Sequence, residues 1–331
     1  MQGSRSTGTE PSGSVPAPAH AAPVETQRPL KIKVIACEVL ARQVYQQAAR
    51  SPHVIDVDLL EKGLHDDAAV LRGELQRRID AVPNPPYDAV VLVYGLCNRA
   101  TEGLVARNAP LVMARAHDCI TLYLGSREEY AAQFDQYPGT YYYSAEYMER
   151  GKDGRPAGAG AADAGGAAQD EGMAFNSRLP AQFEELVRKY GEDNARYLME
   201  MYGSWHQHYS RAAFISLPCA RCDVGPICAH AQPFRQRAQN MASRHNWQFV
   251  ELQGDLGLLD RLLGGGWSLA GPATPDQDDL LVIPPGMAIV ASFDERVVIA
   301  AAPQAEPGEA PTLVASGGAI GAVPAGGSGN A

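Results

Sequence analysis

The stretch DAVVLVYG, residues 88–95, decides the fold class of this chain of 331 residues. It is almost wholly apolar, which is typical of a strand in a parallel sheet that is covered on both faces. Further β-rich runs occur at KIKVIAC (31–37), HVIDVDLL (53–60) and PLVMAR (110–115), and helical patterns follow the first two. Strands that alternate with helices predict an α/β fold with a doubly wound, mainly parallel, Rossmann-like sheet and right-handed crossovers.

The second half of the chain contains three more strand candidates. They are RAAFISL (211–217), WQFVEL (247–252) and DLLVIPPG (279–286), and helical patterns lie between them. Two arrangements fit this order: the new strands extend the first sheet, or they form a second, similar lobe. Both arrangements remain open at the level of sequence.

Three segments have compositions that do not favour a packed core. Residues 1–29 and 301–331 are rich in Ser, Gly, Pro and Ala and are predicted to be disordered tails, and residues 151–172 are predicted to be a flexible insertion. The α/β domain is therefore predicted over residues 30–300, with a first half at 30–150 and a second half at 173–300.

The charge of the chain limits its partners. The formal net charge is -10, and neither a lysine nor an arginine run occurs, which argues against nucleic acid or an anionic membrane as the main partner. A small-molecule or cofactor ligand, or another protein, is favoured. The chain has no apolar run of membrane-spanning length and no signal-peptide pattern at its start, so we predict a cytoplasmic protein. Its six cysteines then fit reduced thiols or metal ligands better than a disulfide scaffold.

Three cysteines lie at or just past the ends of predicted strands: Cys37 ends KIKVIAC, Cys97 follows VLVYGL and Cys119 follows LVMARAHD. The carboxyl ends of parallel strands meet at one edge of the sheet, where open α/β folds bind ligands. His117 stands two residues before Cys119, and thiolate with imidazole is a ligand set that zinc and other softer metals prefer. We therefore predict a metal site formed by Cys37, Cys97, His117 and Cys119, with zinc as the first choice.

Other interpretations of these residues are also open. A single cysteine at a strand end is equally typical of a buried packing position. Asp118 is predicted to cap a helix that starts at Cys119, which would lower the pKa of that thiol. His65 and Arg115 are candidate cofactor-binding residues, His65 because it follows the second strand and Arg115 because its charge suits an anionic ligand; a capping histidine and an ion-paired arginine are the alternatives. The tyrosine-rich run YPGTYYYSAEY (137–147) either forms the wall of a pocket or covers the sheet.

A second cysteine cluster, PCARCDVGPIC (218–228), has the spacing CxxCx5C and contains Cys219, Cys222 and Cys228. A CxxC pair can bind zinc, hold an iron-sulfur cluster or cycle as a dithiol. His230 is a possible fourth ligand, and a local structural role without a metal is the alternative.

The order of these motifs resembles that of the DUF1638 family, which is uncharacterised, over roughly residues 31–290. The segments that carry the resemblance are IACEVL, GLH, YGLCNRATEGL, PLVMARAHDCITLYLGSREEY, YYYSAEY, GDLGLLDRLLGGGW and LLVIPPG. The resemblance implies a link to corrinoid-dependent methyl transfer systems and a site made of Cys37, His65, Cys97, His117 and Cys119. The chain departs from the family pattern in its tails, in the 151–172 insertion and in the CxxCx5C cluster.

The site also resembles that of zinc enzymes that methylate thiols, which pair a His-x-Cys motif with a distant cysteine. Those enzymes are eight-stranded barrels, and this chain does not contain eight βα units, so the likeness concerns only the site. We expect a metal-binding protein that serves thiol or corrinoid-linked group transfer. An accessory protein that delivers a metal or corrinoid cofactor to a methyltransferase, and an iron-sulfur protein, are alternatives. Whether the chain is an enzyme is left open.

Overall fold

A computed structural model describes residues 28–150, 187–188, 191–196, 205–218, 228–267, 279–294 and 296–301. The predicted insertion at 151–172 lies outside the described residues. So do the predicted tails, apart from residues 28, 29 and 301.

The described strands and helices alternate along most of the chain. In chain order the strands are β1 (Lys31–Cys37), β2 (Val54–Leu60), β3 (Ala89–Val93), β4 (Leu111–Ala114), β5 (Thr140–Ser144), β6 (Arg211–Ser216), β7 (Gln248–Gln253), β8 (Leu280–Ile283), β9 (Ala288–Ala291) and β10 (Val298–Ala301). The α-helices are α1 (Ala41–Arg50), α2 (Ala68–Asp80), α3 (Cys119–Leu124), α4 (Arg127–Gln136), α5 (Ala145–Glu149), α6 (Gln232–His245) and α7 (Gly257–Leu263).

The central sheet has five strands in the order β2-β1-β3-β4-β8. Its first four strands are parallel, and β8 runs antiparallel to β4. Every residue of β3 and β4 is buried, because helices and loops cover both faces of these middle strands. The prediction of an α/β protein with a mainly parallel sheet is confirmed.

Strand β2 differs from the middle strands because it is largely half-buried and carries charge. Asp56 lies 3.5 Å from the ammonium of Lys31, and Asp58 lies 3.9 Å from that of Lys33. Among the described strands, β2 pairs with β1 alone.

The helices bury apolar stripes against the sheet. In α2 the stripe is Leu71, Leu75 and Ile79, whose spacing of four places them on one face. Helix α7 buries four leucines and contacts α1. No helix in the described part of the chain is long and apolar enough to cross a membrane.

The described strands from β5 onward divide among three sheets, one of which is the antiparallel pair β9-β10. Strands β5, β6 and β7 form a separate parallel sheet in that order, whereas β8 joins the central sheet. Alternate residues of β5 point to opposite faces: Tyr142 packs against the main core, while Tyr141 and Tyr143 belong to a second core with Phe214 and Trp247. The main core also contains Ile215 of β6, so side chains of both sheets share it.

Candidate functional site

The candidate site lies at the carboxyl edge of the central sheet, where the segments after β3 and β4 run side by side. The backbone N–H of Leu96 donates to the carbonyl of Ala116 (2.7 Å), and that of Cys97 donates to the carbonyl of His117 (2.9 Å). Gly95 permits this contact, because a Cβ there would lie 2.6 Å from the backbone nitrogen of Asp118. A residue with a side chain at position 95 would force these segments apart.

The three thiols of Cys37, Cys97 and Cys119 lie within electrostatic reach of one another. Burial raises the pKa of Cys37 to about 11, while a hydrogen bond from the backbone of Val39 and the charge of Lys62 act in the other direction. Burial also raises the pKa of Cys97, and a negative charge on Cys37 would raise it further. The structure therefore brings together the three cysteines that follow the strands.

The pKa of Cys119 is well above its ordinary value, first because of burial and then because of Asp118, Cys97 and Cys37. Sequence analysis expected the opposite direction, since a thiol at a helix start feels the helix dipole. The prediction that Asp118 caps the helix is confirmed: its carboxylate accepts from the N–H of Ile120 (2.9 Å) and of Thr121 (3.4 Å). The carboxylate and the loss of solvent outweigh the dipole, so the thiol is protonated at neutral pH in the metal-free protein.

His65 reaches this edge through Tyr94. The ring of His65, in a 3-10 turn at Lys62–Asp66, stacks on the ring of Tyr94 with centroids 5.8 Å apart. The Tyr94 hydroxyl is buried and lies beside the Cys37 thiol, which it would stabilise as a thiolate. Burial raises the pKa of Tyr94, followed by the charges of Cys37 and Cys97, so Tyr94 remains a hydrogen-bond donor.

His117 and Arg115 point to other parts of the molecule. The imidazole of His117 is exposed and stacks on Tyr130, with ring centroids 5.5 Å apart. The guanidinium of Arg115 is buried and donates to the carbonyl of Val298 in β10. Among the residues that the structure describes, no group of three or more His, Cys, Asp or Glu is arranged to hold a metal ion.

A cavity of about 190 Å³ lies between α3, β5 and β6. Cys119 borders it, as do six tyrosines: Tyr123, Tyr141, Tyr142, Tyr143, Tyr147 and Tyr209. The hydroxyl of Tyr123 donates to the carbonyl of Val39 (2.9 Å), which fixes this wall of the cavity to the end of β1. The tyrosine-rich run thus borders a cavity and also forms β5, a strand of the second sheet.

Two buried carboxyls near the site were missed by sequence analysis. Glu38 pairs with Arg150 at 3.4 Å and accepts from the backbone N–H of Lys62 at 2.8 Å. Glu146 is 5% exposed, and its Oε1 accepts from Gln43 at 3.1 Å, whereas its Oε2 meets no hydrogen-bond partner in the structure. Burial is the main cause that raises the pKa of Glu146. The sequence signal for Glu146 was weak: it is a lone acid in the aromatic context YSAEY.

Comparison with known proteins places the chain in a family. A family model described as a protein of unknown function, DUF1638, matches residues 59–263, which is more than half of the chain. The chain belongs to the DUF1638 family. The DUF1638 match contains His65, Cys97, His117 and Cys119 and begins after Cys37. No curated protein and no solved structure matches the chain.

The second cysteine cluster lies inside the DUF1638 match, but most of it falls outside the described residues. Nothing is described for Cys219 and Cys222. Cys228 is disulfide-bonded, and the Nδ1 of His230 lies 3.0 Å from its sulfur. The described free cysteines are Cys37, Cys97 and Cys119.

Proposed function

We propose that this DUF1638 protein binds a soft metal ion, with zinc as the first choice, through the thiolates of Cys37, Cys97 and Cys119. His117 is the proposed fourth ligand. The observation that carries the proposal is the cluster of two buried thiols, Cys37 and Cys97, and the half-buried thiol of Cys119, which come from three neighbouring strand ends and are coupled electrostatically. In keeping with this site, we take the central sheet to be doubly wound and Rossmann-like, with its ligand at the carboxyl edge.

The electrostatics of the thiols support a cationic ligand. In the metal-free protein each thiolate would raise the pKa of its neighbours, so the three thiols cannot readily ionise together. A divalent ion among them reverses the sign of this effect, because it stabilises the charged form of every ligand. Thiolates and imidazole are the donors that zinc and iron-sulfur centres take in proteins.

The proposal requires side chains to move when the ion binds. Zinc thiolate bonds are ~2.3 Å long, and the described side chains do not converge on one point at that spacing. Rotation about the Cα–Cβ bonds of Cys97 and Cys119 is one part of the change. The other is that His117 leaves the face of Tyr130.

The residues around the thiols would support the bound state. Tyr94 is placed to donate a hydrogen bond to the Cys37 sulfur, which favours its thiolate. Lys62, whose ammonium is held by the carbonyl of Tyr147 at 3.2 Å, also lowers the pKa of Cys37. The cavity beside Cys119 provides space for a molecule that exchanges a group with a thiol.

We further propose that the reaction is group transfer to or from a thiol. The proposed form is methyl transfer linked to a corrinoid protein or a methyltransferase in the cytoplasm. Bound zinc would keep a thiol deprotonated at neutral pH, which makes it a nucleophile. The protein's own contribution would be to shield the thiols from bulk water. Cys119 borders the cavity, so a substrate in the cavity would lie next to this thiol.

Metal analysis of protein purified without oxygen tests the proposal. We expect about one zinc ion per chain in the wild type, and loss of most of it in Cys97→Ser and in Cys119→Ser, because each removes one of four ligands. The matched control is His208→Gln, which changes an exposed histidine near the second sheet and should leave the zinc content unchanged. Equal metal in wild type and Cys97→Ser, or no metal in the wild type, would contradict the proposed site.

Visible absorption of the same samples tests the identity of the metal. Zinc protein is colourless. A brown protein that contains iron and sulfide in equal amounts would indicate an iron-sulfur cluster instead of zinc. Cobalt together with corrinoid absorption would indicate a bound corrinoid.

A further inference from the structure

The cavity beside Cys119 has walls of an unusual chemical character. The described residues that border it include six tyrosines, two isoleucines, a serine and a threonine besides Cys119, and none of them carries a formal charge. Tyr142 lies on the same face of β5 as Thr140 and Ser144, because side chains two apart share a face. The walls are therefore rich in aromatic surface and poor in fixed charge.

Two acidic residues are sequence neighbours of residues that border the cavity. Asp118 precedes the wall residue Cys119, and Glu146 precedes the wall residue Tyr147. Both affect the tyrosines of the wall electrostatically: Glu146 acts on Tyr123, and Asp118 acts on Tyr142. The positive charge of Arg211 acts on Tyr142 in the opposite direction and more strongly than Asp118. The carboxyls give the surroundings of the cavity a negative contribution.

Among the described residues, no basic side chain forms an ion pair with Glu146. Its Oε1 is held by the neutral amide of Gln43, and its Oε2 has no hydrogen-bond partner in the structure. The basic residue that acts on it is Arg42, whose guanidinium forms two hydrogen bonds of 2.7 Å to Glu149. A buried carboxylate in this position is stabilised by any cation that enters its vicinity.

The nearby basic side chains of Lys62 and Arg211 are not among the described residues that border the cavity, and each is held in place by other groups. The ammonium of Lys62 lies 4.4 Å from the ring centroid of Tyr147 and is also bound by backbone carbonyls. The guanidinium of Arg211 lies 4.0 Å from the ring centroid of Tyr137 and donates to Gln133. Both contacts show that tyrosine faces in this region already receive cations.

We propose that the cavity beside Cys119 binds a small methylated ammonium cation, held by the tyrosine faces and balanced by the carboxylate of Glu146. A quaternary ammonium group presents methyl groups to apolar walls and distributes its charge over them, which is the property that aromatic cages recognise. Glu146 is not one of the described residues that border the cavity. Its carboxylate acts electrostatically on the wall residue Tyr123 and would balance the charge of the ligand through a medium of low dielectric constant.

The volume of the cavity sets the size of the ligand. At ~30 Å³ for each water of the liquid, 190 Å³ corresponds to about six waters. A compact ligand of about seven non-hydrogen atoms, the size of choline, is in this range, whereas a nucleotide is far too large. Cys119, one of the three proposed thiol ligands, also borders the cavity, so ligand binding is tested on protein from which any metal has been removed.

Calorimetric titration of the full chain with choline, and with 3,3-dimethylbutan-1-ol, tests this inference. The alcohol has the same shape as choline and carries a carbon in place of the charged nitrogen. We expect choline to bind one per chain and about tenfold more tightly than the alcohol, because the ring faces and Glu146 distinguish charge from shape. Equal or tighter binding of the alcohol, or binding of neither compound, overturns the inference.

Two pairs of variants assign the binding to named groups. Glu146→Gln should weaken choline binding by roughly fivefold and leave the alcohol unchanged, whereas Glu149→Gln, which neutralises the carboxyl three residues along α5, should change neither. Tyr142→Leu should weaken choline binding more than Tyr142→Phe, which keeps the ring. Equal effects within either pair overturn the assignment.

The titration is carried out on chelator-treated protein, so that it is independent of the zinc proposal. Choline binding by protein that holds no metal would support the cavity and leave the metal site to its own test. Thermal unfolding of each variant shows that it is folded, and the pair Glu146→Gln and Glu149→Gln keeps the test usable if Tyr142→Leu is unstable.

Discussion

At the scale of single residues, the backbone around Cys97 is strained. Cys97, Asn98 and Arg99 have φ values of 47°, 53° and 63°, so three consecutive residues with side chains adopt the left-handed conformation. Each such residue costs roughly 1–2 kcal/mol relative to a right-handed turn, and Asn is the type that tolerates it best. Strain of this kind is concentrated at functional sites. A packing role alone would be served by glycine here, so the cost is consistent with a need for the thiol.

The buried thiol of Cys37 predicts a pH dependence of stability. Its pKa rises from 9.0 to about 11 on folding, so its contribution is fully present below pH 9 and is lost as the pH rises through 11. Over this interval the unfolded thiol ionises first, and the free energy of unfolding should fall by up to about 1.4 kcal/mol per pH unit from this group. Urea denaturation of chelator-treated protein between pH 8 and pH 11 measures it.

Cys37→Ala is the control, since it removes this titration and leaves those of lysine and tyrosine in place. Its stability should fall less steeply over the same interval. If the wild type and the variant lose stability in parallel, the thiol is not desolvated in the way described.

At the scale of elements, apolar pattern alone was sufficient for the strands that form the middle of the central sheet. The runs that contain β3 and β4 are mostly apolar, the run of β1 is interrupted only by Lys31 and Lys33, and each observed strand lies within its predicted run. Strand β5 was not predicted, because its five residues TYYYS carry no alternation of polar and apolar side chains. The antiparallel direction of β8 was also beyond prediction, since pairing partners and not the pattern of a strand decide its direction.

The break between helices α3 and α4 was not predicted from the sequence pattern. Sequence analysis predicted a helix that starts at Cys119 and gave no end for it. Helix α3 ends at Leu124, Gly125 with a φ of 74° follows as its C-cap, and Ser126 caps α4. A Cβ on Gly125 would lie 2.7 Å from Oδ1 of Asp255 and 2.8 Å from its carbonyl oxygen. The distant residue that requires glycine here cannot be recognised from the local sequence.

Gly125→Ala should therefore be more destabilising than the same change at Gly103. Gly103 also has a positive φ, of 84°, but nothing lies within 4 Å of its added Cβ. Gly103→Ala should cost about 1–2 kcal/mol from the left-handed backbone alone, and Gly125→Ala should cost distinctly more because a backbone atom of Asp255 must move. The free energies of unfolding of the two variants measure the difference, and equal costs would show that the contact with Asp255 is not tight.

At the scale of the whole molecule, the two sheets are joined by a shared core. Ile215 of the second sheet is buried in the main core, with Tyr142 and Leu252 packed against that core. The cysteine positions at the sheet edge could be predicted because parallel strands end together. The cavity could not, because it arises where the second sheet meets α3, and the buried carboxyl of Glu146 could not, because it packs against Gln43 of α1. Both contacts join residues far apart in sequence.

We expect Ile215→Ala to weaken both sheets together. Removing this side chain from the main core should cost about 2–5 kcal/mol, and a single cooperative transition should be kept. Trp247 lies in the second core and Trp267 in the main core, so each tryptophan can report on one core. Because the chain has a third tryptophan, Trp205, the Trp247→Phe and Trp267→Phe changes are made in a Trp205→Phe background, where the fluorescence of the remaining tryptophan follows one core. Transitions that separate in urea would contradict one cooperative unit, and Val54→Ala at an exposed position provides the control for a change that should have little effect.

The charges of β2 have a consequence for how the molecule behaves in a crowded solution. A strand whose outer backbone groups are available invites the same strand of another molecule to add to the sheet, and this is a common start of aggregation. Asp56 and Asp58 lie on this strand in ion pairs with Lys31, Lys33 and Arg78. A second copy that approached edge to edge would bring like carboxylates close together and disrupt these pairs. The charges of this strand thus disfavour self-association. Replacing both acids by neutral residues would leave an edge that can pair with a second copy, without any change in the core.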